Sequence, residues 1–113
     1  MTDPATERVV EDARRLLQAV LAEEASGRAP YARDVRRFVE PRLALPFPSL
    51  VQFLERFGFI SLERRTDLLA ATKAGRELAD GKRGAGLAGD ARHHFGDQLD
   101  ALQVDVPAED AEI

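Results

Sequence analysis

The run SLVQFLERFGFISLERRTDLLAATKAGRELA, residues 49–79, decides the fold, because its hydrophobic period changes twice. Leu50, Phe53, Leu54 and Phe57 fall at i, i+3, i+4 and i+7, the apolar stripe of an α-helix, and Gly58 stops it. That helix begins at Pro48 or Ser49, where Ser49 and Gln52 have capping-box spacing. In FISLER the period becomes two: Ile60 and Leu62 alternate with Ser61 and Glu63, as in a half-buried strand. RRTD reads as a turn and LLAAT as a second strand. So short a connection permits only an antiparallel hairpin. Thr72 then stands as the N-cap of a helix, KAGRELAD, that turns Ala74 and Leu78 inward and ends at Gly81.

Two helices precede this run. Val9, Val10, Ala13, Leu16, Leu17, Val20 and Leu21 recur at helical spacing, with Glu11, Asp12, Arg14, Arg15 and Gln18 on the other face. Asp3 and Pro4 mark the start of that helix and Gly27 its stop, which bounds it at about residues 4 to 26. Pro30 opens a shorter helix with Val35, Phe38 and Val39 as its inner stripe and Arg33, Arg36 and Arg37 outside it. Pro41 ends it, and the three prolines of PRLALPFP forbid a long regular element there. Phe38, Phe53, Phe57 and Phe59 share stripes with aliphatic residues and are expected in the core.

The expected architecture is therefore mainly α with a small β-hairpin, in one domain over residues 1–81. Helix 4–26 packs on that domain or dimerises. Residues 81–89, GKRGAGLAG, contain four glycines and read as a flexible linker. Beyond them lies an acidic tail, in which Asp90 can cap a short helix with Ala91, Phe95, Leu99 and Leu102 on one side, either loosely ordered or docked. PAEDAEI is expected to be disordered.

Charge is distributed unevenly. Residues 28–83 carry twelve Arg or Lys against seven Asp or Glu, whereas residues 84–113 carry one arginine against seven acids. A basic middle is the electrostatic footprint of a nucleic-acid partner and also suits an acidic protein. The tail is either solubilising or able to fold back on the basic part and compete with its partner. No apolar run is long enough for a membrane span, and the N-terminus lacks the layout of a secretory signal. A cytoplasmic protein without a membrane partner is expected.

Residues 28–81 resemble the winged helix-turn-helix domains of MarR- and PadR-type bacterial regulators. The positions that carry the resemblance are Leu54 and Gly58 at the helix exit, the hairpin at about 59–71, and Thr72 with Gly75. It implies a third helix in the major groove of duplex DNA, a hairpin wing on the backbone and a homodimer, hence transcriptional regulation. On this chain the outward face of the third helix is Ser49, Gln52, Glu55 and Arg56. Gln52 can read adenine and Arg56 guanine, while Arg36, Arg37, Arg64 and Arg65 neutralise phosphates. The connection between the second and third helices, about eight residues, exceeds the roughly 3–4 of a helix-turn-helix. A winged-helix module that docks another protein in a cytosolic assembly needs no groove entry, and is the alternative.

Catalysis is not indicated. The chain has no cysteine, no G-x-S-x-G, no phosphate-binding loop and no histidine before residue 93. His93 and His94 are adjacent and point about 100° apart on a helix, so they do not form a metal-binding pair. No cofactor is expected.

Overall fold

The computed structural model describes residues 4–99. They form helices α1 (Pro4–Ala25), α2 (Ala32–Val39) and α3 (Phe47–Arg56), strands β1 (Ile60–Glu63) and β2 (Leu68–Ala71), and helices α4 (Lys73–Ala79) and α5 (Gly84–Phe95). A single 3-10 turn, Glu40–Arg42, follows α2. The fold is mainly helical with one antiparallel hairpin, in which Ile60 faces Ala71 and Glu63 faces Leu68.

Helix α1 is the hub, packing against α2, α3, α4, α5 and β2. Its stripe of Val9, Ala13, Leu16, Leu17 and Val20 is fully buried beside Leu50, Phe53, Leu54, Leu69, Leu78 and Leu87. The apolar face of α1 is thus packed within the chain. Its polar face is also structural. Arg14 Nε and Gln18 Nε2 donate to the carbonyls of Leu78 and Ala79, at 3.0 and 3.2 Å, tying α1 to the C-terminal end of α4.

Asp12, expected on the solvated face, is buried. Its Oδ2 accepts from the backbone N–H groups of Ala44 and Leu45 at 2.8 and 3.0 Å. The proline-rich connection forms no ladder of its own, so its buried N–H groups need a side-chain acceptor, and Asp12 supplies it. Burial raises the Asp12 pKa above its usual 3.8, against the lowering effect of those two hydrogen bonds and of Arg15 and Arg8.

Three further expectations need correction. Gly84, Gly86 and Gly89 lie inside α5 rather than in a linker, and the packed unit continues past residue 81, because Leu87, Ala91, Phe95 and Leu99 are buried in the common core. Tertiary burial outweighs the poor helix propensity of glycine there. Phe38 is 63% exposed, since Val35 and Val39, one turn apart, fill the inward stripe of α2. Helix α3 begins at Phe47 with Pro46 in the cap position, so Ser49 lies in its first turn and forms no capping box. Asp3, Leu102 and PAEDAEI lie outside the described residues.

The Thr72–Gly75 pair holds the hairpin to α4. Thr72 Oγ1 accepts from the Gly75 N–H at 3.1 Å and donates to the Gly58 carbonyl at 2.6 Å. Gly75 is buried so close to the Phe59 backbone that a Cβ would lie 2.1 Å from its carbonyl oxygen.

Candidate functional site

The turn of the hairpin is tied to α2. Asp67, at φ 62°, accepts from the N–H of Ala32 with its carbonyl (2.7 Å) and from that of Arg33 with Oδ2 (3.3 Å). Helix α2 has no side-chain cap of its own at Tyr31, so the turn satisfies its first donors. Tyr31 also bridges Leu68, and the Leu69 N–H donates to the Pro30 carbonyl at 3.0 Å, bracing β2 on the side away from β1.

These ties leave an open groove of about 420 Å³ bounded by α2, the outer face of α3 and the hairpin. Its apolar lining comes from Ala32, Phe47, Pro48, Val51 and Leu62. Around it stand Arg33, Arg36 and Arg64, together with Gln52, Glu55 and Asp67.

Each guanidinium is held by the protein yet exposed. Arg36 Nε donates to Glu40 Oε2 at 2.8 Å, and its guanidinium carbon lies 6.0 Å from the Phe47 ring centroid. Arg33 sits over the Tyr31 ring at 4.8 Å. Arg64 makes a two-pronged pair with Glu55, at 3.0 and 2.8 Å, which fastens the hairpin to α3. That hydrogen bonding lowers the Glu55 pKa and raises that of Arg64. A guanidinium has five N–H donors, so each can hold its internal partner and still donate to a carboxylate or phosphate of a ligand.

Of the residues expected to contact a partner, the structure therefore gathers Arg36, Gln52 and Arg64 around one groove. Arg37 is exposed on α2 but does not line it, and Ser49 is half-buried outside it. Arg65 is exposed in the turn, where its backbone N–H donates to Glu63 Oε1. Arg56 is directed elsewhere: Nη1 lies 2.9 Å from His94 Nδ1, and the guanidinium covers the Phe57 ring at 5.1 Å. Because arginine only donates, this contact requires His94 Nδ1 to be the unprotonated nitrogen. Burial, with Arg56 and His93 nearby, lowers the His94 pKa below 6.5. His94 packs among Phe53, Phe57 and Phe95 and closes α5 onto α3.

Sequence reasoning left Arg33, Phe47, Val51, Leu62 and Asp67 out of the site. Arg33 and Arg36 stand three residues apart on one helix, a spacing that puts both on one face and was readable. The apolar lining was not, because Val51 and Leu62 meet only when α3 and the hairpin fold together.

Among the described residues, no group of three His, Asp or Glu side chains is placed to hold a metal ion. No helix among them is long and apolar enough to cross a membrane. No family model matches the chain, and neither a curated protein nor a solved structure matches it significantly.

Proposed function

We propose that the chain is a winged-helix interaction module whose groove between α2, α3 and the hairpin receives an extended polypeptide bearing carboxylates and apolar side chains. One observation carries the reading: a single groove is lined both by apolar Phe47, Pro48, Val51 and Leu62 and by Arg33, Arg36 and Arg64. A phosphate backbone has no use for an apolar lining of this kind. A peptide with alternating acidic and apolar residues fits both parts, its carboxylates on the guanidinium groups and its apolar side chains below. Three helices, a hairpin and a capped helix in that order support the winged-helix arrangement.

Duplex DNA is the second reading. It is favoured by exposed Arg37 and Arg65, which extend the cationic band of Arg36 and Arg64 beyond the groove. The two readings differ in their response to salt. A fluorescent peptide alternating glutamate with leucine and valine, and a fluorescent duplex, are each titrated by anisotropy. The polypeptide reading expects peptide binding that weakens in Arg33→Ala and Arg36→Ala and persists in part at high salt through apolar contact. Duplex binding alone, with a log–log salt slope of about −0.9 per phosphate contact, would overturn it in favour of DNA.

A further inference from the structure

From the charge and place of the groove we infer, resting on the polypeptide reading above, that its resident occupant is this chain's own segment 100–112, which screens it from partners. The first argument is charge. DALQVDVPAEDAE contains Asp100, Asp105, Glu109, Asp110 and Glu112 and no basic residue, whereas the groove lining carries Arg33, Arg36 and Arg64 against Glu55 and Asp67 and so keeps a positive surplus. The second is the pattern of the segment. Leu102, Val104 and Val106 alternate with Gln103 and Asp105, so in extended form it offers apolar groups to the floor and carboxylates to the rim.

The third argument is reach. The last described residue, Leu99, is buried, and His94 and Phe95 shortly before it pack against Phe53 of α3. The groove lies around the other side of that helix, where Val51, Gln52 and Glu55 stand. An α-helix with side chains is roughly 10–12 Å across, so half its circumference is about 16–19 Å. At ~3.3 Å per residue, five or six extended residues cover it, which brings Val106 and Glu109 to the groove. Held there, the segment occupies the same guanidinium groups that a partner's carboxylates need, so binding in trans requires its displacement.

The chain has no cysteine, so Ala111→Cys accepts a single nitroxide label on the full-length protein. At low salt, the amide signals of Val51, Gln52, Leu62 and Arg64 should lose intensity while those of Val10 and Ala88, on the α1–α5 side, keep theirs. The loss should disappear when Asp105, Glu109, Asp110 and Glu112 are changed to their amides. A groove that stays sharp, a loss that survives neutralisation, or a loss arising only between labelled and unlabelled copies would each overturn the inference. The synthetic peptide DALQVDVPAEDAE, added to the neutralised chain, separates the two levels. If it shifts groove amides while the label does not, the resident segment is wrong and the groove reading stands. If neither acts on the groove, both fall.

Discussion

Replacing Gly75 with alanine sets two effects against each other, and the structure says which wins. In an open helix, alanine is favoured over glycine by about 1 kcal/mol. At Gly75 the new Cβ would lie 2.1 Å from the Phe59 carbonyl oxygen and 3.0 Å from Leu17 Cδ2. The oxygen belongs to backbone that accepts from the Thr72 N–H at 3.2 Å, while the Phe59 N–H donates to the Leu54 carbonyl at 2.9 Å, so it has little freedom to retreat. Helix α4 must move instead. Overpacking costs about 1–3 kcal/mol, and disturbing the Thr72 cap adds about 0.5–2. After the propensity gain, the net loss is about 0.5–4 kcal/mol, or a fall in Tm of roughly 2–20 °C for a domain near 100 residues. Thermal unfolding by circular dichroism reads it directly. Gly86→Ala and Gly89→Ala are the controls: nothing lies within 4 Å of a Cβ at either position, and both sit in α5. Each should raise stability, by up to about 1 kcal/mol. A Gly75→Ala protein as stable as the parent would refute the close approach of α4 to the α3–β1 junction. Loss of stability in both controls would refute helix α5.

Four further outcomes follow from named contacts. Asp12→Ala removes the acceptor of two buried N–H groups and should cost about 2–4 kcal/mol in urea unfolding. Because the folded pKa of Asp12 is raised, its protonation stabilises the fold below pH 3.8, and that contribution fades as pH rises through the raised value. The stability of the parent relative to Asp12→Asn should therefore decline with rising pH in that window, and a flat difference would be contrary. His94 has the opposite linkage: with its pKa lowered, neutral His94 supports the fold above pH 6.5, and the support goes as pH falls through the folded value. Its ring protons should titrate below 6.5, and Arg56→Ala should raise that midpoint. At the groove, Glu55→Gln releases Arg64 from its internal partner and removes a like charge, so it should tighten binding of an acidic peptide; weaker binding would be inconsistent with the rim assignment.

Local patterns in the sequence marked out most of this fold. The helix–Gly58–hairpin–Thr72 run stands where the period changes placed it, because each signal there is a nearest-neighbour effect: a stripe, a stop, an alternation, a cap. Asp12 was misplaced because its charge was read as outward, although its spacing from Val9 and Leu16 puts it on the inner side of the helix, and only the Ala44–Leu45 segment, more than thirty residues away, makes it an acceptor. Glycine content argued against a helix at 84–89, yet Leu87 and Ala91 have a core to enter once α1 is in place. Phe38 erred the other way, since Val35 and Val39 already fill the space it was expected to take. The site was half legible for the same reason. Arg36, Gln52 and Arg64 were readable as exposed polar residues on their elements, whereas Arg56 turns to His94, whose docking against α3 no local pattern shows, and the apolar lining exists only between elements.

The central claim is that the groove takes a polypeptide through its floor and rim together. Backbone amide shifts of the isotope-labelled protein, followed as the glutamate–leucine–valine peptide is added, test it most directly. Val51, Gln52, Leu62 and Arg64 should shift together and saturably, and a peptide of equal charge lacking the apolar residues should move them far less. Shifts confined to Arg37 and Arg65, or equal for both peptides, would contradict it.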